Sequence, residues 1–443
     1  MYQSKFNLKV NFILLIFIVL NVAVANESRP QKLRFKHLTV DQGLSHTGVF
    51  DILKDKYNFM WFATANGLNK YDGYEFEVFQ HSSTDSNSLS QSLISDLFED
   101  SNGTLWIATG DGLSRFNRAR NNFKNYYPDS SLNSILGRII QTIVEDDQGR
   151  IWVATTQGLN LYHPETDSFT RFGYADQGFE QISIESPRGD MLADGGTIWI
   201  GTLEYSLIKF DIKKKKFKQY IPGKYNENNR SDNSVTSLEK SGNILWIGTL
   251  GNGLFKLNLS KNEDVRFFQY KHDPANPNSL NNDNIMDLLI ESESKIWIGT
   301  INYGLDLFNP QEGVFLHNMP DRNIPSSLNN GSIFSIYVDD AKNIWVGTYA
   351  GGVNVSYVNL QNIQLYRDVG GTKNSMSGNM VTSFLEDKKG NLWVGTDGGG
   401  LNYLNRKDNT FKKYSTRNTN LNSDAIHSLS YDKHYPITIF YHL

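Results

Sequence analysis

The residue types that most often carry chemistry are present in this sequence, but they are scattered. The nine histidines form no HExxH motif and no pair at metal-ligand spacing. There is no cysteine and no GxSxG motif. Glycine-rich stretches such as "DGGGL" lie between strand-like segments with no helix behind them, so we interpret them as turns rather than phosphate-binding loops. The sequence therefore predicts no metal, no cofactor and no catalytic residue.

Carboxylates are the second group that could do chemistry. A glycosidase or lyase needs only two correctly spaced carboxyl groups, and the chain has 47 Asp and Glu residues. Most of them recur in the turn before a tryptophan, where a structural role explains them. Examples are Asp100, Asp146, Asp340 and Asp387. A secreted carbohydrate-active propeller enzyme, either a lyase or a glycosidase, is kept as the alternative function.

Three tyrosines indicate a binding function. Tyr205, Tyr303 and Tyr349 each lie in the turn after a tryptophan-containing segment. If these turns share one rim of a ring, their exposed aromatic rings would stack on sugar faces or contact a partner loop. The alternative is that each ring only covers the neighbouring repeat. We predict these three residues as ligand-binding residues.

The elements that would position these side chains come from an internal repeat. All eight tryptophans occupy the same place in it, at spacings of 45 to 51 residues. The second residue after each is Ala or Gly, and the third is Thr. Strand alternation puts the Trp and the small residue on one face, so a large ring lies beside a gap that a neighbouring repeat fills. The eight are Trp61, Trp106, Trp152, Trp199, Trp246, Trp297, Trp345 and Trp393.

Each repeat contains four strand-like segments joined by turns. An acidic turn precedes the Trp segment and a glycine turn follows it, except in the fourth copy, where Ser206 replaces the glycine and should strain the turn. Four strands in a repeat of this length are typical of a β-propeller blade. We predict an all-β propeller in which every Trp is buried between blades. The upstream segment "LRFKHLTV" resembles a fourth strand and is predicted to complete the last blade.

The repeats resemble those of a known family, the two-component regulator propeller repeats of bacterial membrane sensors. "LTVDQGLSHTGVFDILKDKYNFMWFATANGLNKYDGYEFEVFQ" is similar to the family's first blade, and the similarity extends from about Leu33 to Tyr414. The resemblance implies a long receptor: commonly fourteen repeats in two seven-bladed propellers, a β-sandwich, a membrane helix and a cytoplasmic histidine kinase or diguanylate cyclase. It therefore favours a seven-bladed ring, with the eighth repeat starting a second ring. A single eight-bladed ring is the alternative.

The ends of the chain complete the predicted organisation. Residues 1–25 read as a signal peptide, with basic residues, an apolar run and small residues before the cleavage point, although an uncleaved anchor is the alternative. Residues 26–373 would form blades 1 to 7, and 374–443 the eighth blade and the truncated start of a ninth. The ninth copy has Thr438 where a Trp is expected, so we expect a fragment of a longer receptor. A divergent capping strand is the alternative.

The expected function is that of a periplasmic ligand-sensing module of a two-component or cyclic-di-GMP receptor. A net charge of −4 gives no basic field for nucleic acid. The expected partner is an oligosaccharide or another small periplasmic ligand, a homodimer is allowed, and membrane contact is expected only through an uncleaved N-terminal anchor. A quinone-dependent dehydrogenase of the eight-bladed type is another rival function, but it should carry a tryptophan docking pattern that this sequence does not show.

Overall fold

The computed structural model describes most of the repeat region. It covers residues 33–177, 190–203, 206–222, 234–260, 266–358, 366–370, 374–430 and 438–441. The predicted signal peptide lies outside these residues, and so does Tyr205. In this described part the chain forms eight four-stranded antiparallel sheets and one two-stranded sheet. Short 3-10 helices occur at Val40–Gln42 and Ala175–Gln177, and no helix of the described part is long and apolar enough to cross a membrane.

The first strand, β1 (Lys36–Leu38), precedes four blades of consecutive strands. Blade 1 contains β2 (Val49–Lys54), β3 (Met60–Thr64), β4 (Gly67–Tyr71) and β5 (Phe76–Phe79). Blade 2 contains β6 (Ile94–Glu99), β7 (Leu105–Thr109), β8 (Leu113–Asn117) and β9 (Asn122–Tyr126). Blade 3 contains β10 (Ile140–Glu145), β11 (Ile151–Thr155), β12 (Gly158–His163) and β13 (Ser168–Gly173). Blade 4 contains β14 (Met191–Asp194), β15 (Thr197–Gly201), β16 (Leu207–Asp211) and β17 (Lys216–Tyr220).

The remaining strands form four more blades and a final pair. Blade 5 contains β18 (Val235–Ser241), β19 (Ile244–Thr249), β20 (Leu254–Asn258) and β21 (Phe267–Tyr270). Blade 6 contains β22 (Ile285–Ser292), β23 (Lys295–Thr300), β24 (Leu305–Asn309) and β25 (Val314–Asn318). Blade 7 contains β26 (Ile333–Val338), β27 (Ile344–Thr348) and β28 (Val353–Ser356). Blade 8 contains β29 (Val381–Glu386), β30 (Leu392–Thr396), β31 (Gly400–Asn405) and β32 (Thr410–Tyr414), and β33 (Ile426–Ser430) and β34 (Thr438–Tyr441) follow it.

Blade 7 takes its fourth strand from the start of the chain. β1 pairs antiparallel with β28, with Leu38 opposite Val353. At the same junction, a Cβ atom built on Gly347 of blade 7 would lie 2.9 Å from Val49 Cγ1 of blade 1. The prediction that "LRFKHLTV" completes the last blade is therefore confirmed. Seven blades form the closed ring, and the chain divides into two compact units, Met1–Gln361 and Asn362–Leu443.

The small residue after each Trp makes room for the next blade. A Cβ atom on Gly248 would lie 2.8 Å from Ile285 Cγ2, and one on Gly299 would lie 2.7 Å from Ile333 Cγ2, in each case on the first strand of the following blade. Such distances are too short for real side chains, so close packing requires glycine there. The seven ring tryptophans are at most 5% exposed. Trp393 of blade 8 is only half-buried, against the expectation that all eight would be buried.

Within a blade we name the strands A to D in order from the ring axis, and the turns by the strands they join. The AB turn uses its aspartate as predicted: Asp100 Oδ1 accepts the backbone N–H of Asn102 at 3.0 Å and that of Thr104 at 2.9 Å. Its Oδ2 accepts the indole N–H of a buried Trp at 2.9 Å. In blade 7 this residue is Asp339, whereas Asp340 is exposed and pairs with Lys54. The sequence assignment of Asp340 to the turn position was therefore wrong by one residue.

The threonine of the repeat closes the BC turn. Thr109 Oγ1 donates to the carbonyl oxygen of Gly112 at 2.7 Å, and the other seven equivalent bonds measure 2.7 to 3.2 Å. In blade 4 the acceptor is the carbonyl of Ser206, whose φ is 60°. A residue with a Cβ atom is disfavoured in this left-handed region, so the predicted strain of this turn is confirmed.

The second unit repeats the packing of the ring on a smaller scale. A Cβ atom on Gly395 of blade 8 would lie 2.7 Å from Ile426 Cγ2 of β33, the same contact that joins blades in the ring. β33 and β34 pair with Ser430 opposite Thr438. The corresponding pair in blade 8 is Leu385 and Trp393, so Thr438 lies at the tryptophan position. The backbone thus keeps the register that the sequence alignment predicted for the ninth repeat.

Candidate ligand-binding site

Two of the three predicted tyrosines lie in the BC turns of neighbouring blades. Tyr303 of blade 6 is 43% exposed and Tyr349 of blade 7 is 60% exposed. Both turns are held by hydrogen bonds: Asn281 Nδ2 donates to the carbonyl of Tyr303 at 2.7 Å, and the N–H of Tyr349 donates to the carbonyl of Ser332 at 3.0 Å. The rings are therefore presented to solvent by anchored turns at one end of the ring.

An aromatic path leads from this rim towards the ring axis. Tyr349 contacts Phe334 edge to face, with ring centroids 5.4 Å apart. Phe334 stacks on Phe50 of blade 1 at 5.7 Å and an interplanar angle of 28°. Phe50 in turn lines a cavity of about 90 Å³ that lies among the A strands. Blades 7 and 1 thus share a continuous aromatic surface from the axial cavity to solvent.

Polar side chains surround this axial cavity. In six blades they come from one position of the A strand or from the residue directly before it, and in blade 5 the lining residue is Thr236, next to that position. The seven residues of this position, in blade order, are Asp51, Asp96, Thr142, Asp190, Ser237, Asp287 and Ser335.

These axial side chains join adjacent blades. Asp51 Oδ2 accepts the N–H of Leu97 in blade 2 at 2.8 Å, and Asp287 Oδ2 accepts the N–H of Ile336 in blade 7 at 2.7 Å. Asp96, Asp190 and Ser237 accept the equivalent N–H groups of blades 3, 5 and 6 at 2.7 to 3.0 Å. Each bond satisfies a backbone donor of the next A strand, so these carboxylates have a structural use.

The axial carboxylates also shift one another's protonation. Burial raises the pKa of Asp96 well above its usual value, and the nearby carboxylates of Asp51 and Asp190 raise it further. The pKa of Glu239 in blade 5 is raised in the same way to about 8, mainly by burial and then by the carboxylates of Asp190 and Asp287. The buried carboxyl groups around the axis therefore lie close enough to raise one another's pKa.

The described residues do not assemble a metal-binding cluster: no group of three or more His, Asp and Glu side chains in the described ranges is arranged to hold an ion. The described side chains can contact a ligand by aromatic stacking at the rim and by hydrogen bonding near the axis.

Sequence reasoning found the rim tyrosines but missed the axial carboxylates. It attributed acidic residues to turns, and Asp51 lies instead within the apolar A-strand segment "VFDIL", as does Asp287 within "IMDLLI". A polar residue 9 or 10 positions before each Trp was the available signal. Such a residue inside an otherwise apolar strand indicates a buried hydrogen-bond partner, and only the ring geometry shows what that partner is.

The fold defines the class of this protein as a β-propeller built from four-stranded blades. Comparison with known sequences and structures refines that class. The profile of the two-component regulator propeller family matches residues 88–111, 134–157, 327–350 and 375–398. The chain therefore carries two-component regulator propeller repeats, as its tryptophan pattern predicted.

Similar proteins are parts of bacterial sensors. The chain is 25% identical to the extracellular domain of the hybrid two-component system BT3049 of B. thetaiotaomicron, with a TM-score of 0.65 over 92% of this chain and 53% of that one. The extracellular domain of BT4673 from the same organism shares the fold at 22% identity, with a TM-score of 0.57 over 92% and 51%. A segment of 69 residues is 36% identical to histidine kinase P4 of Formosa agariphila, which is 16% of this chain and 5% of the kinase. The chain thus spans about half the length of these extracellular domains.

Proposed function

We propose that this propeller is the periplasmic ligand-sensing module of a two-component or cyclic-di-GMP signalling receptor. Its repeats and its similarity to extracellular sensor domains support a sensor rather than an enzyme. The export signal predicted for residues 1–25 agrees with a periplasmic location. In this proposal the chain is a truncated part of a longer receptor, and its output domain lies beyond these residues.

We further propose that the ligand is an oligosaccharide that stacks on the rim of blades 6 and 7. The observation that carries this proposal is the exposed ring of Tyr349, which continues through Phe334 and Phe50 to the axial cavity. Sugar faces pack on aromatic rings because both surfaces are flat and partly apolar. The anchored turns reduce the entropy that binding would otherwise lose.

Binding to a panel of soluble polysaccharides and oligosaccharides tests this function. We expect saturable heat of binding by calorimetry with at least one glycan and no cleavage products by chromatography. Tyr349→Ala should weaken that binding about fivefold, since an aromatic contact is worth roughly 0.5–1.5 kcal/mol. Tyr303→Ala should have a similar effect if both turns contact the same ligand.

The matched control is Tyr74→Ala. Tyr74 is 90% exposed and lies in the CD turn of blade 1, at the opposite end of the strands from the BC turns. This variant should bind like the unmodified chain. Cleavage of a glycan would favour the alternative of a carbohydrate-active enzyme, and equal binding by Tyr349→Ala and Tyr74→Ala would move the site away from this rim. Sedimentation of the same samples with and without glycan tests the homodimer, which stays a prediction.

A further inference from the structure

A second cavity lies between blades 5 and 6, at the end of the strands opposite to the tyrosine rim. Its volume is about 250 Å³. Trp246 of β19 and Lys256 of β20 contribute to one wall, and the AB turn of blade 6 contributes to another. Because AB and BC turns lie at opposite ends of strand B, this cavity is separate from the site around Tyr303 and Tyr349.

Comparison with the other blades shows which hydrogen-bond acceptor the tryptophan at this cavity lacks. In five blades the Trp indole N–H donates to a carboxylate of the AB turn or of the last residues of strand A, at 2.8 to 3.0 Å. Those carboxylates belong to Asp55, Asp100, Asp146, Glu291 and Asp339.

Blade 5 has a serine at the place of this carboxylate. Lys240 pairs with the residue before Trp246, as Lys54 does with the residue before Trp61 in blade 1. Ser241 therefore occupies the place that Asp55 has in blade 1, and it pairs with Ile244 across a two-residue turn. Among the described residues, the indole N–H of Trp246 has no hydrogen-bond acceptor.

A cation lies next to this indole. Lys256 Nζ is 5.4 Å from the centre of the Trp246 ring, and within the described ranges Lys256 forms no ion pair. An N–H donor and an ammonium group thus face one cavity, and the carboxylate of Glu293, which also lines it, forms no hydrogen bond or ion pair with either group among the described residues. A charge-assisted hydrogen bond to a carboxylate would satisfy both groups.

We propose that this cavity binds a small hydroxylated carboxylate. The ligand's carboxylate accepts a hydrogen bond from Trp246 Nε1 and pairs with Lys256, replacing the aspartate of the other blades. Glu293 and Gln311 also line the cavity and supply groups that bind hydroxyls, while Ile290 supplies an apolar surface. A volume below the roughly 300–1,000 Å³ of drug-sized ligand sites limits the ligand to about the size of one sugar acid.

NMR of the tryptophan indole N–H groups tests the proposal, with glucuronate as the probe. The Trp246 resonance is assigned by its loss in Trp246→Phe. We expect glucuronate to shift this resonance in a saturable way and glucose, which has the hydroxyls without the carboxylate, to leave it unchanged. Lys256→Met should weaken glucuronate binding about tenfold, because it removes a charged partner.

A matched pair at Ser241 separates the missing carboxylate from general disturbance of the turn. Ser241→Asp places a carboxylate in the cavity wall and should abolish the glucuronate shift, whereas the neutral Ser241→Asn should retain it. Tyr349→Ala should leave the shift unchanged, since that residue belongs to the other end of the ring. The proposal is overturned if millimolar glucuronate does not move the Trp246 resonance, if glucose moves it equally, or if Ser241→Asp binds like the unmodified chain.

Discussion

At the residue scale, one polar position of the C strand forms a hydrogen bond in the interior of six blades, whereas blades 4 and 5 have Ile208 and Phe255 there. The polar side chain accepts a backbone N–H from the loop before its blade, and in blade 6 this residue is Asp306, bonded to the N–H of Asn281 at 2.9 Å. Four blades use asparagine instead, at Asn69, Asn160, Asn354 and Asn402. Blade 6 therefore buries a charge where those four blades bury a neutral amide.

This charge is compensated by His317. Its Nδ1 lies 2.7 Å from Asp306 Oδ1, and its Nε2 lies 3.0 Å from the carbonyl oxygen of Pro277. A carbonyl only accepts, so Nε2 carries a proton, and Nδ1 needs a second proton to donate to the carboxylate. The hydrogen bond to Asp306 accordingly raises the pKa of His317, although burial of the imidazole opposes this rise.

We therefore expect the stability of the protein to decrease as the pH rises through the folded pKa of His317. A raised pKa stabilises the folded state fully below the ordinary histidine value of about 6.5 and loses that contribution above the folded value. Thermal melts across neutral and mildly alkaline pH measure the effect. Asp306→Asn, which copies the four blades with asparagine, should flatten the profile over this range. A slope that persists in Asp306→Asn would assign the titration to another group.

At the element scale, the sequence predicted the strands and turns within each blade better than the contacts between neighbouring blades. The Trp, the small residue and the Thr each have a local reason to recur, so their spacing alone gave the B strands and the BC turns. The sequence did not predict the axial carboxylates because their hydrogen-bond partners lie in the next blade. It predicted that Trp393 is buried because a sequence does not show which blades are covered on both faces. In blade 8, Phe384 is 72% exposed, whereas its counterpart Leu97 in blade 2 is buried.

The BC turn of blade 4 provides a direct test of hairpin strain. Ser206 carries a side chain at a φ of 60°, at the BC-turn position where blade 5 has Gly253 at 73°. Ser206→Gly should raise the free energy of unfolding by up to about 1 kcal/mol, because glycine enters the left-handed region without a Cβ clash. Denaturant unfolding measures the change. The reverse substitution Gly253→Ser is the control, and it should destabilise by more, because a Cβ atom there would also lie too close to the carbonyl oxygen of Tyr270. An unchanged midpoint for both variants would mean that these turns carry no strain.

At the scale of the whole molecule, closure distinguishes the ring from a row of blades. The contacts between blades are local and repeat in order, and the sequence predicted them from the repeat. The contact between blades 7 and 1 instead joins residues nearly the whole ring apart in sequence, through β1 and the Gly347–Val49 packing. The sequence supplied a candidate strand for this closure, while the choice of seven blades came from the resemblance to a known family.

We expect the closing strand to control the stability of the junction between blades 7 and 1. Leu38 of β1 is 2% exposed in the core that these two blades share, so Leu38→Ala should cost about 2–5 kcal/mol. Because opening begins where the ring is joined, hydrogen exchange should accelerate first in β2 and β28 and leave β11 protected. Leu401→Ala in blade 8, where the leucine is 4% exposed, is the matched control and should change exchange only in the second unit. Uniformly faster exchange around the ring in Leu38→Ala would show that the seven blades open together, with no weak point at the closure.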